Sequence, residues 1–416
     1  MTQEDILYFA GGSLLVGLSI FSANLLLLRP SHRHVYGPLA LFFLAEAATE
    51  APMLIGRIAA SQGADAAARL IWPLNLMPAL MLAPLFWLYV RALTTEGRAR
   101  DVSHKALHMA PPLLGLCVTV LFLATPDAVL VALEAGQPID HALVPILTAG
   151  GLTVAVLFHA QICLYLALVV RLLRRYTTRL KALFSSTESR ELRWLWWIVA
   201  VATGFVVFNV AAVVSQLMGL RLLPRGLLEA PLVDIFASVA IFWVLALWGL
   251  RQKPGLDPAA AEPSAAGRHK YERSALSEER AQRLARKVGA AMRNDRVYRD
   301  PNLSLWDLST HIGVTSNHLS QTLNETLGAN FFDYVNRWRI EDAAQRIRTT
   351  DETILAIAYE VGFNSKSSFY KAFKRHMGKT PSALRDERVA GRASDIAARP
   401  PEVAAAAQGV DRGRTA

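Results

Sequence analysis

The sequence predicts an all-α protein in which a seven-helix transmembrane bundle is followed by a cytoplasmic domain with two helix-turn-helix units. Three observations support this fold class. The chain of 416 residues is 53% hydrophobic and only 19% charged, a balance typical of proteins with several membrane spans. Seven long apolar segments occupy the N-terminal part. The C-terminal part has helical periodicity, with neither the alternation nor the hairpin turns of β-strands.

Each predicted span is a run of roughly 20 mostly apolar residues, the length that crosses a bilayer. The first run follows the acidic residues Glu4 and Asp5 and lacks a basic region, so we expect it to be retained and not cleaved as a signal peptide. The predicted spans, which together form a sensor domain of residues 1–253, are Ile6–Leu28, Val35–Gly56, Leu70–Leu93, Leu107–Ala124, Leu143–Val170, Trp194–Met218 and Leu227–Leu250.

Charge in the connections between spans predicts their orientation. One alternating set of connections contains 15 lysines and arginines, and the other set contains 4. Lysine and arginine are enriched on the cytoplasmic side of membrane proteins. We therefore expect a multi-pass protein of the inner (cytoplasmic) membrane, with the lipid bilayer as a partner. Its N-terminus is expected outside and its C-terminal domain in the cytoplasm.

Composition changes after the last span. Residues 254–275 are rich in proline, alanine and glycine and predict a flexible linker. Residues 276–388 form the predicted helical domain, and residues 389–416 predict a disordered tail. From Arg268 to Arg388 there are 21 lysines and arginines against 15 acidic residues, a net charge of +6. A basic balance favours an anionic partner but needs a motif to specify one.

Two helix pairs in this domain supply that motif. In the first, Gly313 permits a turn and Thr315 or Ser316 caps the following helix. In the second, Gly362 makes the turn and Ser365 is the cap. The side chains expected to face inward are Leu305, Leu308, Ile312, Leu319 and Leu323 in the first pair and Ile354, Ile357, Ala358, Phe369, Phe373 and Met377 in the second.

A helix predicted over Phe331–Arg348 joins the two pairs. Its inner side is expected to contain Phe332, Val335, either Trp338 or Arg339, and Ala343. A rigid connector of this kind would hold both second helices on one face of a DNA duplex. Successive major grooves on that face lie about 34 Å apart.

Residues of roughly 284–386 resemble the DNA-binding domain of AraC/XylS-family transcriptional regulators. Two departures are that the seven spans replace the soluble sugar-binding barrel of many members, and that Thr315–Leu327 contains no lysine or arginine, so the family's usual basic residue near Asn324 is missing. The residues that carry the resemblance are Tyr334, Arg339, Ile340, Ala343, Ile354, Ile357, Ala358, Gly362, Phe363, Ser365, Phe369, Phe373, Lys374, Gly378, Pro381 and Arg385.

The resemblance implies double-stranded DNA as the partner and assigns the contacts by position. Lys374 and Arg375 are expected to hold phosphate, which positions the protein without reading sequence. Glutamine and asparagine can pair with adenine, and lysine favours guanine acceptors. For each residue an ordinary solvated helix face is the alternative. The implied base-reading residues are Asn317, Ser320 and Gln321 in one groove and Lys366, Ser367, Tyr370 and Lys371 in the next.

Polar residues inside the spans mark a candidate sensory site, because ionisable groups are costly in a bilayer. The candidates are Glu46, Glu50, Asn75 and Asp234. They are expected to bind a cationic or polar small molecule or to respond to external pH. The same residue types also form hydrogen bonds between membrane helices, and the sequence leaves both interpretations open.

The predicted function is a membrane-bound one-component transcriptional regulator, not an enzyme. The sequence contains no P-loop, GxSxG or HExxH motif, and Cys117 and Cys163 show no metal-ligand spacing, so neither a cofactor nor a metal is expected. A second copy of the chain and RNA polymerase are further candidate partners. The alternatives are a membrane transporter or enzyme with a DNA-binding appendage, and a latent factor released by proteolysis within residues 254–267.

Overall fold

A computed structural model of the chain describes residues 3–30, 32–95, 105–137, 139–188, 191–217, 231–252 and 277–397. Within these ranges the protein is helical and has no β-strand, which confirms the all-α class. The only extended pairing among the described residues is a single antiparallel bridge between Phe184 and Ser304. The predicted linker and most of the predicted tail lie outside the described residues.

The chain folds as two compact units. The first consists of Met1–Tyr176 and Leu192–Ala261, and the second consists of Thr177–Glu191 and Glu262–Ala416. The segment between the fifth and sixth predicted spans therefore belongs with the C-terminal residues, an arrangement that the sequence did not indicate. The seven-span bundle and the domain boundaries at residues 253, 275 and 388 stay predictions.

The first unit is built from nine described helices and one 3-10 turn, Trp72–Asn75. The helices are α1 (Gln3–Leu27), α2 (Arg33–Ser61), α3 (Asp65–Ile71), α4 (Leu76–Thr94), α5 (Lys105–Ala124), α6 (Asp127–Glu134), α7 (Leu143–Leu183, whose last residues from Thr177 belong to the second unit), α8 (Arg193–Leu217) and α9 (Pro231–Arg251).

Five helical stretches are long and apolar enough to cross a membrane, judged by length and composition. Two further apolar stretches among the described residues, Arg193–Phe208 and Ile235–Arg251, are shorter. The end of the predicted sixth span and the start of the seventh lie outside the described residues. The five long stretches are Ile6–Leu27, Arg33–Ser61, Asp65–Thr94, Ala106–Ala124 and Leu143–Leu183.

Two helices differ from the predicted spans for local reasons. The third predicted span is interrupted by the Trp72–Asn75 turn, where Pro73 has no N–H to continue an α-helix. The Thr119 hydroxyl donates a hydrogen bond to the Pro73 carbonyl at 2.7 Å. Helix α7 continues from the predicted end at Val170 to Leu183, because leucine, arginine and lysine favour helix although they end the apolar run.

Packing in the first unit leaves an apolar exterior. Helix α2 packs against α1 and α4, while α1 also packs against α9 and α4 against α5. Large apolar side chains such as Phe21, Leu107, Leu152 and Trp197 remain strongly exposed on this unit. A soluble surface rarely presents so many large apolar side chains, and such a surface is typical of contact with lipid or with another protein.

The second unit has two apolar clusters that share one long helix. The N-terminal half of α13 packs with the first helix pair, and its C-terminal half packs with the second. Its fully buried side chains include Phe331 and Arg339, whereas Phe332 and Trp338 are half-buried. The helices are α10 (Glu278–Ala290), α11 (Leu305–His311), α12 (Ser316–Gln321), α13 (Phe331–Thr349), α14 (Ile354–Glu360), α15 (Lys366–Met377) and α16 (Pro381–Ala397, which continues past Arg388).

Candidate nucleic-acid interface

The first helix pair, α11 and α12, is fixed by side-chain caps. Ser304 and Asp307 form a reciprocal capping box, with the Ser304 amide donating to Asp307 Oδ2 at 3.0 Å. Thr315, and not Ser316, caps α12 by accepting from the His318 amide at 3.3 Å. Gly313 supplies the turn between the helices with a φ of +70°. A short helix terminated in this way has little freedom at either end.

The second helix pair, α14 and α15, follows the same plan. Thr353 caps α14, and Ser365 caps α15 by accepting from the Ser368 amide at 3.2 Å. The turn contains Gly362 with a φ of +99°, and α15 ends at Gly378 in the left-handed region. The glycines and caps predicted from the sequence are therefore confirmed in both pairs.

The predicted inward faces are confirmed in both helix pairs. Ile312, Ile354 and Met377 are only partly buried, because they lie near helix ends. The fully buried members are Leu305, Leu308, Leu319 and Leu323 in the first pair and Ile357, Ala358, Phe369 and Phe373 in the second.

The outward face of α12 is polar and contains no lysine or arginine, and the acidic Glu325 follows the helix. Asn317 is exposed, while Ser320 and Gln321 are half-buried. Gln321 Nε2 donates to Glu325 Oε2 at 2.9 Å, and Asn324 Nδ2 donates to the Ser320 carbonyl at 2.9 Å. These amide groups are therefore held in place along the helix and present hydrogen-bonding atoms at its surface.

The outward face of α15 is basic. Lys366, Ser367 and Lys371 are exposed, and the Lys366 ammonium lies 5.4 Å from the centre of the half-buried Tyr370 ring. Lys374 is exposed one turn further along the helix. This side of the second pair concentrates positive charge on one helix, as binding to a phosphate backbone requires.

Arg375 lies at the end of the same helix but pairs with a carboxylate. Its guanidinium forms an ion pair with Asp333 in the first turn of α13. Asp333 also accepts from Asn330 Nδ2 at 2.9 Å. Arg375 thus connects α15 to α13 through Nη2, while its other donors remain to bind phosphate. Burial and the charge of Arg375 lower the pKa of the neighbouring His376.

Arg339 lies at the centre of the second unit and is fully buried. Its Nε donates to the Tyr298 carbonyl at 2.7 Å, and its Nη2 donates to the Asp300 carbonyl at 2.7 Å and to Ser185 Oγ at 3.0 Å. Burial lowers the pKa of Arg339 to about 10, an effect opposed by the charges of Asp300 and Glu188. The guanidinium therefore stays charged at neutral pH and is neutralised mainly by carbonyl and hydroxyl dipoles.

The turn before the first helix pair is also tied to α13. The Tyr298 hydroxyl donates to Asp342 Oδ2 at 2.9 Å, and Arg299 Nη2 pairs with the same oxygen at 2.8 Å. Burial raises the pKa of Tyr298, and the hydrogen bond to Asp342 adds to this effect. The sequence pattern gave no indication of these links, because they join residues more than 40 positions apart.

The candidate sensory residues are distributed over the first unit. Glu46 is buried and Glu50 half-buried, both on α2. The described lining of a cavity of about 370 Å³ includes Asn75, Arg69 and Glu134 but neither of these two glutamates. The side chain of Asp234 lies outside the described residues. The structure thus places Asn75 at a cavity whose described lining does not include Glu46 or Glu50.

Comparison with known proteins identifies the class of the second unit. Residues 308–387 match the family model described as a helix-turn-helix domain. Together with the capped helix pairs and the basic α15, this match confirms the predicted resemblance for this part of the chain. The C-terminal part carries an AraC-type helix-turn-helix DNA-binding domain.

The chain covers less than two thirds of the length of the curated relatives that it matches. An uncharacterized HTH-type transcriptional regulator of Staphylococcus aureus (strain COL) is 42% identical over 89 residues, which is 21% of this chain and 12% of the relative. The HTH-type transcriptional activator AarP of Providencia stuartii is 37% identical over 83 residues, 20% of this chain and 62% of AarP. The C-terminal domain of the response regulator yesN of Fusobacterium nucleatum shares 27% identity over 25% of this chain and 98% of that structure, with a TM-score of 0.23.

Proposed function

We propose that this protein is a membrane-bound one-component transcriptional regulator, not an enzyme. It binds double-stranded DNA sequence-specifically through two helix-turn-helix units under the control of a transmembrane sensor domain. One observation carries the proposal: the same chain contains an AraC-type DNA-binding domain and helices long and apolar enough to cross a bilayer. The names of its relatives, which are transcriptional regulators and an activator, support the DNA-binding half.

The side chains of the two exposed helices suggest that α12 and α15 contact DNA in different ways. On α12, Asn317, Ser320 and Gln321 offer amide and hydroxyl groups that suit base edges. The α15 helix offers Lys366, Ser367, Tyr370 and Lys371 to the next groove, while Lys374 and Arg375 hold phosphate. Most of the electrostatic attraction therefore comes from the second helix pair, because α12 contains no lysine or arginine.

Membrane insertion places the DNA-binding domain in the cytoplasm. The uneven distribution of lysine and arginine between alternate connections supports this orientation, with the N-terminus outside. The exposed apolar side chains of the first unit support a lipid environment. A second copy of the chain and RNA polymerase are the protein partners that a DNA-bound regulator of this kind would meet.

The proposed sensory residues lie in the first unit, where they would detect the signal that controls DNA binding. Glu46, Glu50, Asn75 and Asp234 are proposed to bind a small polar or cationic ligand, or to exchange protons with the exterior. Reporter output and membrane abundance, measured together for Glu46→Gln, Glu50→Gln and Asp234→Asn, test this. A locked output at normal abundance supports a sensory role. Responses identical to the parent in all three variants would exclude these acids.

Release by proteolysis in the linker is less well supported than action as a tethered protein. A fragment cut within residues 254–267 would lack Ser185, which supplies two of the acceptors that surround Arg339. A buried cation that loses acceptors is costly. A transporter or enzyme with a DNA-binding appendage would use the same C-terminal contacts, but no feature of the described residues favours it.

Selection of DNA by the intact chain tests the proposal. The full-length protein in lipid nanodiscs is mixed with a library of random duplexes, and the bound DNA is sequenced over several rounds. We expect an enriched site with two blocks about 10 base pairs apart, centre to centre. The double variant Lys371→Ala, Lys374→Ala is the matched control and should enrich weakly. Enrichment of no sequence by the parent chain would reject sequence-specific binding.

A further inference from the structure

Residues Phe184–Thr187 form a buried peptide within the second unit. They directly follow α7 and precede α8 by a few residues in the chain. Ser185 is only 1% exposed and Thr187 only 3%, although both are polar and lie in a connection between two apolar helices. A connecting loop normally lies at the surface, because buried polar groups need partners. Thr187 Oγ1 donates locally to Glu191 Oε1 at 2.7 Å, whereas the Ser185 hydroxyl donates to the DNA-binding domain.

One side of the peptide contacts the start of the first helix pair. The Ser185 amide donates to the Leu303 carbonyl at 3.1 Å, and the Ser185 hydroxyl donates to the same carbonyl at 2.7 Å. Phe184 forms the antiparallel bridge with Ser304, and its ring lies 5.7 Å from that of Trp306. The peptide thus adds a short extended segment to the chain that leads into α11.

The other side contacts α13 and the turn of the second pair. The Ser185 carbonyl accepts from Arg339 Nη1 and from Asn336 Nδ2, each at 3.3 Å. Asn364, next to the cap of α15, donates from Nδ2 to Ser186 Oγ at 2.9 Å. Phe184, Ser185 and Ser186 together therefore contact the first helix pair, the connecting helix and the second helix pair.

Two buried donor side chains line the groove that receives this peptide. Arg339 and Asn336 are 0% and 1% exposed, and both direct donors at Ser185. Without the peptide these donors would lose buried partners, which is unfavourable. The groove is consequently a polar docking surface whose occupant is a named segment of the same chain.

We propose that Phe184–Thr187 is a docking peptide that holds the two helix pairs in the spacing needed for DNA and transmits movements of α7 and α8 to that spacing. Its consequence for DNA rests on the proposed function. The chain joins this peptide to the first unit between Tyr176 and Thr177 on one side and between Glu191 and Leu192 on the other. A displacement of these helix ends would withdraw Ser185 from Arg339 and loosen the first pair relative to the second.

Cross-linking tests the docking without reference to DNA. The full chain, with Cys117→Ala and Cys163→Ala, receives Ser186→Cys and Asn364→Cys and a protease site within residues 254–267. After treatment with a short bifunctional thiol reagent and cleavage, we expect the two pieces to stay covalently joined. The pair Ser186→Cys, Ser382→Cys, with an exposed serine on α16 that has no hydrogen bond to the peptide, is the control and should separate.

Hydrogen exchange provides a second measurement on the unmodified chain. The Ser185 amide should exchange at least 100-fold more slowly than an open loop, because it is buried and bonded to Leu303. Separation of the Ser186–Asn364 pair, or exchange of Ser185 at the rate of an unprotected amide, would overturn the docking. Neither readout depends on DNA binding, so a failure here is distinct from a failure of the proposed function.

Affinity for a selected DNA site tests the transmission. In the full chain, Ser185→Ala combined with Asn364→Ala should raise the Kd at least fivefold, because both helix pairs lose a shared contact. Ser382→Ala, a serine change elsewhere in the same unit, should leave the Kd within twofold. An unchanged or lower Kd for the double variant would overturn the transmission. If the parent chain selects no DNA site, the proposed function and the transmission both fail, while cross-linking still decides the docking.

Discussion

Arg339 carries a charge inside the second unit, and its surroundings explain why an arginine is needed there. Its planar guanidinium donates in several directions, to Tyr298, Asp300, Asn336 and Ser185. The side chain also lies 5.7 Å from the Phe363 ring in the second helix pair. One residue thereby organises the segments on which both helix pairs depend.

Arg339→Met should destabilise the DNA-binding domain by at least about 3 kcal/mol, because several buried acceptors lose a charged donor. The measure is hydrogen exchange of α13 amides in the full chain, which reports the local free energy of opening. Arg337→Met, at an exposed position on the same helix, is the control and should change protection by less than about 0.5 kcal/mol. An equal loss of hydrogen-exchange protection in both variants would contradict the central role of Arg339.

Single substitutions should distinguish the residues that recognise bases from those that bind phosphate. Lys374→Ala should weaken binding to all sequences alike and lower the slope of log affinity against log salt by about one. Gln321→Ala and Lys371→Ala should each relax the preference at one base position, by about 1–3 kcal/mol. Titrations with a selected site and a scrambled site at several salt concentrations distinguish the two. Identical losses on both DNAs for all three variants would refute the assignment.

At the scale of elements, the turns of the two helix pairs differ in whether a side chain could replace the glycine. A Cβ on Gly362 would lie 2.7 Å from the Tyr298 carbonyl oxygen and 2.8 Å from that of Arg299, in addition to the strain of a φ of +99°. A Cβ on Gly313 would meet nothing within 4 Å, although its φ is +70°. Of these two turns, only the second lies in close contact with the backbone at Tyr298, whose carbonyl also accepts a hydrogen bond from Arg339.

Gly362→Ala should therefore cost more stability than Gly313→Ala. We expect about 1–2 kcal/mol for Gly313→Ala, from the left-handed backbone alone, and at least about 1 kcal/mol more for Gly362→Ala. Hydrogen exchange of the α15 and α12 amides in the full chain measures both. A cost for Gly313→Ala equal to or above that for Gly362→Ala would show that contact with Tyr298 and Arg299 is unimportant.

The elements also show which features follow from local sequence. Caps such as Thr315 and Ser365 and buried pairs such as Phe369 and Phe373 are predictable, because each depends on neighbours within one or two turns. The interruption at Trp72–Asn75 is less predictable from the sequence, since proline is tolerated in membrane helices. The docking of Phe184–Thr187 was not predictable, because its partners lie more than 100 positions away and a serine-rich loop carries no periodic signal.

At the scale of the whole molecule, the orientation of the chain depends on the charges between its predicted spans. A reporter active only in the cytoplasm should be active when fused after Arg100, Lys181 or Lys253. The same reporter should be silent after Ala64 or Gly136. Expression of each fusion, measured with an antibody, controls for abundance. Activity of the Gly136 fusion at normal abundance would exclude the proposed orientation.

Recovery of DNA from washed membranes tests the central claim, which is that one intact polypeptide resides in the membrane and binds specific DNA. Cells are treated with a protein–DNA cross-linker, the membranes are washed with alkaline carbonate, and the full-length chain is isolated by an epitope tag before its DNA is sequenced. We expect discrete genomic sites on the full-length chain, lost in the Lys371→Ala, Lys374→Ala variant. Sites found only on a soluble fragment, or no enrichment on the membrane-bound chain, would contradict the claim.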